Sequence, residues 1–126
     1  MTRINCIPVN ELTRAHLIAE YRELPRVFKL ARKAAQRGFQ AKDGPKDYTL
    51  GKGHVLFFYT RLSYLAKRQA QLVHEMQKRG YQPQFTDSLF DTYADIPAYM
   101  WNDWVPTAAA LKINRQRIQE RLGVSQ

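Results

Sequence analysis

From Leu17 to Ala35, apolar residues recur at spacings of 4, 3, 4, 3 and 4: Leu17, Tyr21, Leu24, Phe28, Ala31 and Ala35. At about 100° per residue these fall on one stripe of a helix, a pattern that an alternating strand cannot produce. The stripe predicts an amphipathic helix opened by Val9-Asn10-Glu11-Leu12, with Asn10 as cap and Glu11 well placed in the first turn. It is expected to run to about Arg37, where Gly38 stops it. A second seam of Val55, Phe58, Leu62, Leu65, Leu72 and Met76 predicts a helix from about Val55 to Arg79, ended by Gly80. A third starts at Pro106-Thr107 and runs through about Leu122 to Gly123, with Leu111, Ile118 and Leu122 facing inwards. About three main helices with irregular connections, and no convincing alternating strand, give an all-α single compact domain over residues 1–126.

The connections carry less. Lys42 to Asp47 is a turn-rich link, and Gly51-Lys52-Gly53-His54 leads into the second helix without the preceding strand that a phosphate loop needs. Tyr81 to Trp104 is aromatic and acidic, with a short helical turn expected at Asp95-Ile96-Pro97. Its Phe85, Phe90, Tyr93, Tyr99, Trp101 and Trp104 are expected to cover the helix pair, since aromatics in a non-basic segment serve as core more often than as base-stacking platforms.

Charge is strongly segregated. The chain is +9 overall, yet Gly80 to Leu111 holds no Lys or Arg and four acids, so the remainder carries 20 bases against 7 acids, a net +13. This is the footprint of a polyanion-binding face, and nucleic acid is the partner it fits. The longest apolar run outside alanines, Val55 to Tyr59, is far too short to span a membrane, and the N-terminus lacks the apolar stretch of a signal peptide. A cytoplasmic protein is expected, without a membrane partner and without an obligate protein partner, and so a monomer. A lone Cys6 excludes an internal disulfide and a thiolate metal cluster.

Arg22, Arg26, Lys29 and Lys33 lie together on the side of the first helix opposite its core stripe, with Glu23 and His16 at the shoulder. A glutamate set between two arginines, in Arg22-Glu23-Leu24-Pro25-Arg26, places a carboxylate where an anion is invited. Pro25 should loosen the helix beside it. On the third helix Asn114, Arg117 and Arg121 share a face available to phosphates. No metal site is expected: His74-Glu75 lacks a histidine one turn on, His16, His54 and His74 have no ligand spacing, and Asp87, Asp91 and Asp95 lie in the segment without bases. The remaining chemistry is that of an amine. An α-amino group, at a pKa of about 7.7–8.0 against about 10.4 for lysine, offers roughly a few hundred times more free base near neutral pH. Thr2 is small, so removal of Met1 is expected to expose it.

Thr2-Arg3-Ile4-Asn5, Glu11-Leu12, His16-Leu17, Ala19 through Phe28, Gly51, Gly53-His54-Val55, Phe57-Phe58-Tyr59 and Lys67-Arg68-Gln69 closely resemble the phage-type pyrimidine-dimer DNA glycosylases, also called phage endonuclease V. The likeness is dense over Thr2 to Phe28, good over Gly51 to Gly80, and thin from Asp95 to Arg121. The resemblance implies a base-excision repair glycosylase with abasic-site lyase activity on UV-type dimers in double-stranded DNA, needing no metal or cofactor. It implies that the Thr2 amine attacks the deoxyribose as nucleophile, and that Glu23 moves protons. His16, Arg22, Arg26, Arg117 and Arg121 would grip phosphates of a bent duplex from which a base is flipped, and Arg3 and Lys33 join them as DNA-contacting residues. The chain departs from the family at Ala15, where a glutamine is expected, and it stops at Gln126 without the phage enzyme's aromatic tail. A ring-opened purine glycosylase, or a catalytically silent basic DNA-binding protein, are the alternatives.

Overall fold

A computed structural model describes residues 4–122, so the expectations for Met1, Thr2, Arg3 and Gly123 lie outside the described residues, as does the side chain of Leu122. The architecture is all-α: α1 (Arg14–Gln36), α2 (His54–Phe58), α3 (Leu62–Lys78), α4 (Leu89–Thr92) and α5 (Ala108–Leu122), with 3-10 turns before α1, between α1 and α2, and between α4 and α5. Three of these are long, as the periodicity predicts. The α1 and α3 helices form the central pair, and α5 is joined to the N-terminal segment through Asn114, whose Oδ1 accepts the Cys6 amide. No helix among the described residues is long and apolar enough to cross a membrane.

Along α1 the predicted stripe is the core: Leu17, Tyr21, Leu24, Phe28 and Ala31 are buried, with Ala35 partly so. Each fully buried leucine or phenylalanine contributes about 1.5–3 kcal/mol over an exposed one, which makes this stripe the main source of α1's stability. Both predicted stops hold. Gly38 and Gly80 have φ of 86° and 89°, the left-handed region where a Cβ is penalised. In each case the following residue, Phe39 or Tyr81, donates its amide back to Ala34 or Met76 and closes the helix end.

The start of α1 differs from expectation. Val9–Glu11 forms a 3-10 turn after Pro8, Leu12 is extended so that its side chain is buried, and the cap is Thr13, whose Oγ1 accepts the His16 amide at 3.3 Å. Asn10 is exposed and caps nothing. Pro25 lies inside an uninterrupted α1. It has no amide for the Tyr21 carbonyl one turn back, and the buried Gln69 side chain supplies the donor instead, Nε2 to O at 3.2 Å.

The second predicted helix is two. Phe57, Phe58, Tyr59 and Thr60 are all buried, and a straight amphipathic helix cannot bury four consecutive residues. The chain turns at Tyr59 to Arg61, where Arg61 has φ −132° and ψ 42° and forms an isolated bridge with Trp101. The Arg61 guanidinium holds the turn, donating to the Phe57 carbonyl at 2.7 Å and lying 3.9 Å over the Phe57 ring. Apolar spacing continues across the break, which is why periodicity alone reads straight through it.

The aromatic segment covers the core only in part. Tyr93 stacks on Phe28 at 5.2 Å, Trp101 lies 5.8 Å from Phe28, and Trp104 packs on Phe57 and Tyr64 at 5.2 and 5.0 Å. Phe85, Phe90 and Tyr99 are exposed, Phe85 at 67%. The expected short turn after Asp95-Ile96-Pro97 is the 3-10 turn Ala98–Met100.

Candidate active site and DNA-facing surface

The N-terminal segment runs buried through the core at residues 4–7, and side chains from four places in the chain hold its backbone. The Ile4 amide donates to His54 Nε2 at 2.7 Å, and the Ile4 carbonyl accepts from the Tyr48 hydroxyl at 3.0 Å. His54 Nδ1 faces the Thr49 carbonyl at 2.8 Å, so the proton sits on Nδ1 and Nε2 is the acceptor. One oxygen, Asn114 Oδ1, accepts both the Cys6 and Ile7 amides at 2.7 and 3.1 Å. The Ile7 carbonyl accepts from Arg68 Nη1 at 2.6 Å. Asn5 joins the two ends of this arrangement, donating to Glu20 Oε1 at 2.9 Å and accepting from Asn114 Nδ2 at 2.8 Å.

Glu20 and Arg68 form a bidentate pair at 2.6 and 3.1 Å with both side chains almost wholly enclosed. Burial works against the Arg68 charge, but Glu20 beside it outweighs this and holds the guanidinium above its ordinary pKa. Removing one partner of such a pair costs about 3–5 kcal/mol, because the other charge stays buried. Cys6 is also enclosed, and burial pushes its thiol up to about 11, so it is neither thiolate nor nucleophile at neutral pH.

Beside this clamp is a cavity of about 240 Å³ between α1 and α5. His16, Ala19, Glu20 and Glu23 line it from α1, where spacings of three and four residues put them on one side of the helix. Arg117, Ile118 and Arg121 line it from α5, and Asn5 from the N-terminal segment. The cavity therefore brings together four residues expected at the site from sequence: His16, Glu23, Arg117 and Arg121. Glu23 is half-buried at its wall. Burial first, and the Arg121 charge second, hold His16 below the usual imidazole range. Arg117 has a buried Nε with no partner among the described residues, a donor that a phosphate oxygen would satisfy.

Arg22, Arg26 and Lys33, with Lys29, are exposed on the outer face of α1, about 16 Å long at 1.5 Å per residue, and not in the cavity. Among the described residues none of them pairs with an acid, whereas Arg32, Lys67, Arg79 and Arg115 are tied to Asp95, Asp103, Glu75 and Glu11. Arg22, Arg26, Lys29 and Lys33 therefore form one stripe of positive charge along α1, while at the cavity Arg117 lies 3.9 Å from Glu120. Thr2 and Arg3 lie outside the described residues. No group of three or more His, Cys, Asp or Glu able to hold a metal occurs among the described residues.

One expectation is corrected. Asn114 does not face phosphates; it is fully enclosed and serves the Cys6 and Ile7 amides. The inward stripe of α5 is Ala110, Asn114 and Ile118, with Leu111 only partly buried. The i, i+4 spacing of Asn114 with Ile118 was the available signal. Asn5, Ala19 and Glu20 were not singled out as site residues, because a buried asparagine and glutamate become informative only when their partners are known.

A model of the pyrimidine dimer DNA glycosylase family matches residues 1–89. The match includes the N-terminal segment and the whole α1 wall of the cavity, and stops before the α5 residues.

Proposed function

The chain belongs to the pyrimidine dimer DNA glycosylase family, and from that premise we propose that it is a bifunctional glycosylase and abasic-site lyase whose nucleophile is the α-amine of Thr2 after removal of Met1. The amine attacks C1′ of the damaged nucleotide, the bond from C1′ to the base breaks, and the base leaves with a proton. The sugar ring then opens, the C1′–O4′ bond breaking as O4′ takes a proton and C1′ becomes an imine with the amine nitrogen; the imine acidifies the C2′ hydrogen, whose removal as a proton expels the 3′ phosphate, and water then releases the amine from the sugar. Glu23 carries protons in both stages. Arg117 and Arg121 at the cavity and Arg22, Arg26 and Lys33 on the outer face of α1 hold the phosphates, with His16 donating a hydrogen bond and Arg3 a further contact.

The observation that carries this reading is the cavity itself, which joins a carboxylate from α1 to two arginines from α5, beside an N-terminal segment anchored two residues after Thr2. A carboxylate and phosphate-binding cations in one small concavity, together with a free amine, are the parts that imine-based strand cleavage requires. The test is borohydride trapping of the processed protein on duplexes bearing a cyclobutane dimer, an abasic site or a ring-opened purine. A trapped adduct on the dimer duplex is the expected result; adducts only on the ring-opened purine or abasic duplex would reassign the lesion, and none on any duplex would leave a DNA-binding protein without this chemistry.

Affinity should follow the charge. If about five phosphates are neutralised, log K falls with log salt at a slope of about −4 to −5. Arg117→Ala and Arg121→Ala should each flatten that slope by about one unit. An affinity independent of salt would overturn the assignment of these arginines.

A further inference from the structure

The amides and carbonyls of a buried segment outside a helix must find partners, most often in a neighbouring strand. Residues 4–7 have no strand beside them among the described residues. Asn114, the fully buried residue among their partners that takes two backbone amides with one oxygen, is also the residue through which α5 reaches the segment. Its amide nitrogen continues to Asn5, and Asn5 to Glu20, so one chain of hydrogen bonds runs from α5 through the N-terminal segment to α1. Asn5 and Glu20 are themselves walls of the cavity. Arg117, Ile118 and Arg121 follow Asn114 at three, four and seven residues, on the same side of α5.

We infer that Asn114 is a positioning residue for the reaction: it registers the N-terminal segment against α1 and α5, and so sets where the Thr2 amine meets the cavity. This rests on the amine reading above. Thr2 precedes Ile4 by two residues, a reach of at most about 7 Å. An amine on so short a tether is placed by whatever fixes residues 4–7. Buried polar networks add little stability over well-packed apolar side chains, and their contribution here is to specify a single register. Since a displacement of about 1 Å at reacting atoms can cost on the order of a hundredfold in rate, loosening the clamp should appear in the rate before it appears in binding.

The test measures three quantities on Asn114→Ala: the single-turnover rate of borohydride trapping at saturating abasic duplex, the Kd for that duplex, and the residue carrying the adduct. Leu72→Ala, a core truncation on α3 outside the cavity lining, reports what loss of stability alone does. The trapping rate of Asn114→Ala is expected to fall roughly ten- to a hundredfold with Kd changed by less than about twofold, while Leu72→Ala keeps a rate near that of the unaltered protein. Asn114→Ser retains one acceptor and should fall between; it carries the test if the alanine variant does not fold. A rate that follows only the folded fraction, with the adduct of the unaltered protein on Thr2, overturns the positioning role and leaves the amine reading standing. An adduct of the unaltered protein on any other residue overturns both.

Discussion

With the Thr2 amine acetylated, or with Met1 retained, the protein is expected to release no base and to form no borohydride-stable adduct, while its affinity for duplex DNA falls only slightly. The expectation follows from proton availability and from the tether. At neutral pH an ordinary α-amine presents roughly a few hundred times more free base than an ordinary lysine. The segment that carries it is fixed at Ile4, Cys6 and Ile7 by His54, Tyr48 and Asn114. Acylation removes the nucleophilic lone pair outright, so the loss should be complete rather than graded. Binding is carried by several arginines and lysines, and one blocked terminus removes a single charge from that sum. The comparison needs two preparations of equal concentration, processed and blocked, assayed on one dimer-containing duplex. Trapping that survives a blocked terminus would move the nucleophile to a lysine, with Lys33 and Lys52 the first to substitute.

Replacing Glu23 by glutamine should separate chemistry from binding more sharply than any other single change. Glu23 lines the cavity opposite Arg117 and Arg121, half-buried, on the edge of the face that carries Arg22 and Arg26. A carboxylate there repels the phosphates that the same surface attracts, so Glu23→Gln should leave affinity for undamaged and damaged duplex unchanged or tighter, by about 1 kcal/mol at a surface dielectric. The glutamine keeps the shape but cannot exchange a proton as an acid or base, and single-turnover nicking should fall by about a hundredfold or more. A merely structural glutamate gives the opposite pattern: a lower thermal midpoint, and activity reduced only with the folded fraction. Nicking rate, Kd and thermal midpoint on one preparation distinguish the two, and unchanged single-turnover kinetics would remove Glu23 from the mechanism.

Much of the fold and part of the site were legible in the sequence because they depend on neighbours along the chain. The stripe from Leu17 to Ala31 is a local period, and the glycine stops at Gly38 and Gly80 are local requirements for positive φ. The positions of Arg22, Arg26 and Lys33 on an outer face follow from the same helical angle, as does the shoulder position of Glu23. The string from Arg22 to Phe28, together with Thr2-Arg3-Ile4-Asn5, carried the resemblance that the family match bears out. Thr13 as the cap, by contrast, depended on burying Leu12, which Asn10 as cap would not do, and the break between α2 and α3 depended on four consecutive residues finding apolar partners at once. Asp95 and Asp103 lie in the segment without bases, and only folding sets them against Arg32 and Lys67.

The site divides in the same way. Sequence spacing could put His16 on the same side of α1 as Glu23, because seven residues are about two full turns of a helix. It could not join them to Arg117 and Arg121, nor show that Asn114 turns inward to hold Cys6 and Ile7, because those contacts close loops of about a hundred residues between opposite ends of the chain. Periodicity reports which side of a helix is apolar, and it is silent on which helix that side will meet. Here the meeting of α5 with the N-terminal segment, decided by packing and by one enclosed asparagine, makes the cavity; the residues that line it were set along the chain beforehand.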